Sequence, residues 1–100
     1  MNVTHNEVDH RFELVMDGGR AFLTYERRDD RLILIHTEVP PQFEGRGCGG
    51  LLVRAAAGYA RQEGLRVAPL CRFASAYLAR HPELADTVAP SADTIDTTIE

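Results

Sequence analysis

The chain has no lysine: all 11 of its basic residues are arginine, set against 15 acids. That excludes a Walker-type phosphate loop, which needs a lysine to reach the β- and γ-phosphates. The net charge of -4 argues against nucleic acid as a partner, because phosphate backbones select basic surfaces. There are only two cysteines, Cys48 and Cys71, and no C-x-x-C pair. A zinc or dithiol-redox signature is therefore missing. The four histidines are scattered, so no metal site is expected. No apolar run approaches the ~20 residues of a membrane span, and no secretory leader stands at the start. The expectation is a cytoplasmic protein with reduced thiols that binds neither membrane nor nucleic acid.

What is present fits one small α/β (α+β) domain. A chain of 100 residues builds one core and leaves little room for a second unit. Phe12, Leu14 and Met16 alternate with polar positions, and Asp17-Gly18-Gly19 reads as a tight turn. Arg20 to Glu26 alternates again, and Arg28-Asp29-Asp30 reads as a second turn. Arg31 to Val39 is the strongest strand; Leu32-Ile33-Leu34-Ile35 is apolar at every position, the pattern of a central strand buried on both faces. Together these segments predict an antiparallel meander. Pro40-Pro41 ends it. From about Gly49 to Glu63 the period becomes helical, with Leu52, Ala55, Ala56, Tyr59 and Ala60 on one face and Gly64 suited to a left-handed cap. Leu65 to Leu70 reads as a further strand, parallel to the strongest one, and Phe73 to Arg80 as a second helix before Pro82. The folded domain is expected over 1–85. Residues 86–100 carry four acids and no basic residue, the composition of a mobile tail.

Between the best strand and the best helix lies Glu44-Gly45-Arg46-Gly47-Cys48-Gly49-Gly50. Glycines in such a loop let backbone N–H groups reach an anion. The first N–H groups of the helix have no intrahelical partner, and the helix dipole favours negative charge there. Arg46 adds a positive charge. Gly45, Gly47 and Gly50 also satisfy G-x-G-x-x-G. A dinucleotide site, however, needs an acid at the end of the next strand. Here that strand ends at Leu70-Cys71-Arg72. A flexible loop that merely starts a helix is the remaining simple reading.

The segment Val39 to Leu52, V-P-P-Q-F-E-G-R-G-C-G-G-L-L, resembles the acetyl-CoA-binding motif of the GNAT superfamily of N-acetyltransferases, Gln/Arg-x-x-Gly-x-Gly/Ala. Gly47 and Gly49 match its two small positions, while Glu44 stands where Gln or Arg is usual. Over about Phe12 to Glu83 the chain is similar to small GNAT-like proteins of about a hundred residues. The shared features are His36-Thr37-Glu38-Val39-Pro40 before the loop, then Cys71, then Arg80-His81-Pro82.

The resemblance implies a minimal GNAT-like fold in which the strands Arg31 to Val39 and Leu65 to Leu70 splay apart. It implies acetyl transfer from acetyl-CoA to an unidentified amine, by direct attack in a ternary complex and with no metal. Pantetheine would lie along Glu38 and Val39. The loop from Glu44 through Gly45, Arg46, Gly47, Cys48 and Gly49 to Gly50 would hold pyrophosphate, with the N–H groups of Arg46 to Gly49 as its donors. Cys71 would act as acid to the CoA thiolate or as an acyl relay; it also reads as a small buried hydrophobe. By period two His36 is expected to share a strand face with Leu32, Leu34 and Glu38, and His36 or Glu38 would serve as general base. Tyr77 falls one residue short of the usual place of the family's catalytic tyrosine and reads as packing. Because the N-terminal helices and last strands usual in this superfamily are missing, a non-enzymatic acyl-CoA-binding or sensing module is the alternative. A small interaction protein is a third class, and a monomer or a homodimer is expected.

Overall fold

In a computed structural model the chain is described over residues 2–90. Five strands form one sheet in sequence order. They are β1 (Thr4–Asn6), β2 (Arg11–Met16), β3 (Gly19–Arg28), β4 (Arg31–Glu38) and β5 (Arg66–Pro69). The first four are antiparallel, and β5 runs parallel to β4. The crossover between them is helix α1 (Cys48–Glu63), reached through a short 3-10 turn at Pro41–Phe43. Helix α2 (Arg72–Arg80) follows β5, and a second 3-10 turn covers Pro82–Thr87. The expected meander and parallel unit are both present. The three-residue β1 was too short to show a period.

One face of the sheet makes the core. Leu14, Leu23, Leu32, Leu34 and Val67 are fully buried there, against Leu52, Val53, Ala56, Ala57 and Ala60 of α1. The small residues on α1 let the helix lie close to the sheet. The other face is open: Val15 is 70% exposed and Ile35 46%. The expectation that β4 is buried on both faces is thus corrected. β4 does lie between two strands, but the described helices cover only one of its sides. Arg11 and Arg20 sit on the open face around the Glu13 carboxylate, at 2.9 and 3.5 Å.

A β-bulge changes the reading of β4. Tyr25 pairs with Leu34, but the next residue back, Thr24, pairs with His36, so Ile35 has no partner. An unpaired residue reverses the alternation beyond it. Thr37 now pairs with Leu23, a core residue, while His36 and Glu38 pair with Thr24 and Phe22. His36 therefore shares a face with Glu38 but not with Leu32 or Leu34, contrary to strict period two.

The end of the domain also differs from expectation. Thr87 is buried, Val88 bridges Val67, and the Ala89 N–H donates to the Val67 carbonyl at 2.8 Å. Asp86 binds Arg61 on α1 through two hydrogen bonds, at 2.7 and 3.1 Å. Residues 86–89 therefore belong to the packed domain, because they cover the outer edge of β5. Residues 91–100 of the expected tail lie outside the described residues.

Helix α1 starts and ends on left-handed glycines, Gly47 (φ 80°) and Gly64 (φ 70°), and the Gly64 N–H closes on Ala60. Gly49 and Gly50 serve a different need. A Cβ on Gly49 would come within 2.6 Å of the Phe73 ring, and one on Gly50 within 2.7 Å of the Tyr77 ring. Helix α2 thus rests directly on the backbone of the first turn of α1. The Tyr77 ring is pinned, its hydroxyl accepting from Arg54 Nε at 2.8 Å and its face stacked on His81 at 3.9 Å. Phe73 is 41% exposed and can swing outward. Gly50→Ala is therefore expected to lose about 1–3 kcal/mol through overpacking, more than the ~1 kcal/mol that alanine gains over glycine in a helix. Gly49→Ala should lose less. Urea unfolding of both variants checks the order, and equal stabilities would show that α2 yields freely.

Candidate functional site

The carbonyl oxygen of Leu34 accepts two N–H groups, from Leu70 at 3.0 Å and Cys71 at 3.1 Å. The β4–β5 pairing ends there, at Leu34↔Pro69. β4 continues to Glu38, while the chain leaving β5 turns into α2. The strands part, and among the described residues one edge of His36–Glu38 is left without a strand neighbour. Beside this opening is a cleft of about 770 Å³. Thr37, Glu38 and Val39 supply one wall, and Phe43 to Gly45 the loop side. Gly47 to Leu51 and Arg54 of α1 form the base, and Phe73, Tyr77 and Arg80 of α2 the far wall.

The base of the cleft is the N-terminal turn of a 16-residue helix. Gly47 is its N-cap and carries no side chain to satisfy the first N–H groups. The N–H groups of Cys48, Gly49 and Gly50 are thus open to an outside acceptor, at the positive end of the helix dipole. A Cβ on Gly47 would meet nothing within 4 Å, so space for an anion lies directly over this turn. Arg46 departs from expectation. Its N–H donates to the Phe43 carbonyl at 3.3 Å, closing the turn before the helix. Its guanidinium lies over the Phe43 ring, 5.6 Å from the centroid, and it is not among the residues that line the cleft. The donors are therefore shifted toward the helix. The Cys48 sulfur is buried against Met16 Sδ at 3.7 Å, so its backbone is the part that faces the cleft.

The charges around the cleft are mixed. Glu38 and Glu44 bring negative charge, Arg54 and Arg80 positive. Arg54 is held by Tyr77, by the Glu83 carboxylate and by His81 Nδ1 at 3.3 Å. Glu83 is held below the ordinary carboxylate range by its own backbone N–H and then by the Arg54 hydrogen bond. This network clamps α1, α2 and the following 3-10 turn together, so the cleft has a fixed far wall. Tyr77 belongs to the clamp.

The three candidate catalytic residues are distributed unevenly. Glu38 lines the cleft, and its carboxylate lies 3.2 Å from His36 Nε2. Both are exposed, with the His36 ring against Phe22 on the open face of the sheet. Cys71 is 8% exposed and does not line the cleft. It is the N-cap of α2, its sulfur accepting the Ala74 N–H at 3.5 Å. Thr37 does line the cleft, and its Oγ1 is 3.3 Å from the Cys71 sulfur. Thr37 gave no signal of its own in the sequence, because a threonine in a strand reads as a β-former. Among the described residues no group of three His, Cys, Asp or Glu side chains could hold a metal ion. None of the described helices is long and apolar enough to cross a membrane.

The profile of the GCN5-related N-acetyl-transferases matches residues 11–87. Protein NATD1 of Mus musculus is 32% identical over 85 residues, which cover 82% of this chain and 77% of the mouse protein. Protein NATD1 of Homo sapiens is equally similar, with 75% of it covered. A solution NMR structure of a GCN5-like protein from Staphylococcus aureus superposes with a TM-score of 0.71 at 24% identity, over 88% of this chain and 87% of that one. That likeness concerns the fold alone. The matched span runs from β2 through the second 3-10 turn and so takes in every wall of the cleft; the chain belongs to the GCN5-related N-acetyltransferase family, and its function is of the acyltransferase type.

Proposed function

We propose that the protein transfers an acetyl group from acetyl-CoA to an amine, which attacks the thioester directly. The observation that carries this reading is the open first turn of α1 facing a cleft of about 770 Å³, beside the point where β4 and β5 part. Coenzyme A is a diphosphate joined to a long amide-bearing arm. The N–H groups of Cys48, Gly49 and Gly50 suit the diphosphate. The free edge of β4 near Glu38 and Val39 suits the amides, as an added strand would. The opening between the strands leads the thioester toward the open face of the sheet. There the His36–Glu38 pair faces solvent and can take the proton that the attacking amine gives up. Glu38 holds the imidazole; His36 accepts the proton at its free ring nitrogen. Glu44, which replaces the Gln or Arg of the family motif, opposes the diphosphate.

Calorimetric titration with acetyl-CoA, CoA and NAD tests the cradle. Micromolar binding of the first two and none of the third is expected. Absence of CoA binding would remove the reading altogether. Binding without any transfer to amines would leave an acyl-CoA-binding module. Two variants sharpen the test. Gly47→Asp should lower CoA affinity by roughly tenfold or more, about 1.4 kcal/mol, because it places a carboxylate over the helix N-terminus. The fold should survive, since the site is open and aspartate tolerates the left-handed region better than most residues. Unchanged affinity would refute the cradle. Glu44→Gln should raise CoA affinity a few-fold, and more at low salt, where the repulsion it removes is least screened.

A further inference from the structure

We propose that Thr37 delivers the proton to the departing CoA sulfur, drawing it from the buried thiol of Cys71. The proposal rests on the acetyl-transfer reading and assigns a task to a residue that reading leaves unused. Thr37 is the only hydroxyl-bearing strand residue among those lining the cleft wall of β4. The bulge at Ile35 turns its side chain to the helix side of the sheet, opposite to His36 and Glu38. Its Oγ1 lies 3.3 Å from Cys71 Sγ, and either atom can donate in that pair. Cys71 is 8% exposed and is not among the residues lining the cleft, whereas Thr37 is. A direct covalent relay through Cys71 would require the thioester carbon to displace Thr37. A hydrogen-bonded relay uses the contact that Thr37 and Cys71 already make.

The chemistry decides between a hydroxyl acting alone and a pair. A threonine hydroxyl by itself is too weak an acid to protonate an alkyl thiolate. Cysteine and the CoA thiol are both alkyl thiols, so moving a proton from one to the other is close to balanced. In the step, the amine nitrogen forms its bond to the carbonyl carbon, and the C–S bond breaks with its electron pair left on sulfur. That sulfur takes the Thr37 hydroxyl proton while Thr37 Oγ1 takes the Cys71 proton. The amine's surplus proton leaves on the open face, to His36. Cys71 is left as a thiolate that still accepts the Ala74 N–H, at the favourable end of α2, and it regains a proton from water after the products leave. Thr37 is the catalytic residue here; Cys71 acts through it.

The test compares two acetyl donors in the full-length protein, with n-butylamine and water as acceptors. Thr37→Val keeps the branched shape and removes the hydroxyl. With acetyl-CoA its kcat should fall about 100-fold, within the range general acids contribute, while CoA affinity stays within a few-fold. Thr37→Ser should restore most of the rate. Cys71→Ala should match Thr37→Val, and the double variant should be no slower than either. With the S-acetyl ester of a nitrothiophenol, whose thiolate departs unaided, wild type and Thr37→Val should turn over alike. Equal losses with both donors would make Thr37 structural and overturn the relay. So would full activity of Thr37→Val with acetyl-CoA, or an acetyl adduct on Cys71 found by mass spectrometry after acid quench. If acetyl-CoA binds and wild type releases no CoA, the transfer reading falls and the relay with it; if wild type turns over and the losses in Thr37→Val or Cys71→Ala do not appear, the relay alone falls.

Discussion

The carbonyl of Leu34, with its two hydrogen bonds from Leu70 and Cys71, is the hinge of the molecule. It is the last acceptor that ties β4 to the β5 side. Because one oxygen takes both N–H groups, β5 stops and the chain turns at once into α2, while β4 runs on alone. A parallel pair that parts within a sheet normally leaves backbone groups unpaired, at a cost comparable to a lost hydrogen bond for each buried one. Here the parting opens onto the cleft, where those groups meet solvent or a ligand. The core makes the geometry possible. Leu32, Leu34 and Val67 are fully buried beneath α1, so the paired half of the strands cannot follow the free half.

The rest of the cleft is built from contacts that hold α1 and α2 at close range. Gly49 and Gly50 carry no Cβ, and the rings of Phe73 and Tyr77 occupy the space that one would need. In the glycine loop, backbone conformation belongs to Gly47 and helix contact to Gly49 and Gly50. Arg54 fastens the arrangement by reaching Tyr77, His81 and Glu83. All of these are exposed or partly exposed, so single ion pairs among them contribute little to stability. Their effect is positional: they fix α2 over the open N-terminal turn of α1.

Much of this was legible in the sequence because it is local. The change of period from two to 3.6 between Val39 and Gly49, the proline stop and the flanking glycines marked the strand, loop and helix. The site was legible only in part. The bulge at Ile35 has no signature in Leu-Ile-Leu-Ile-His, where every residue suits a strand. Its consequence is large, since it moves His36 to the open face and Thr37 to the cleft. Thr37 and Cys71 are 34 residues apart in the chain, and nothing in either segment announces the other. Arg46 looked like an anion ligand because of its charge, yet its N–H closes the turn and its side chain covers Phe43. The last packed residues, Asp86 to Ala89, were hidden by a polar composition. Their order comes from Arg61 and from Val67, both distant in sequence.

In the proposed reaction the bulge also lets so small a domain serve both sides of the transfer. Direct attack on a thioester needs a proton acceptor on the side of the amine and a proton donor on the side of the leaving sulfur. Larger proteins can supply these from separate elements. Here three consecutive residues suffice in the proposed reaction. His36 and Glu38 point to the open face, where an amine can approach, and Thr37 points between them to the helix side, against Cys71. Alternation along a strand guarantees that neighbours face opposite ways. The bulge sets which neighbour faces which way. Without it Thr37 would face solvent, and His36 would be driven toward the helix side with Leu34. The exposed Ile35 is then the residue displaced by that requirement: an apolar side chain left on the open face so that the next three can be distributed correctly.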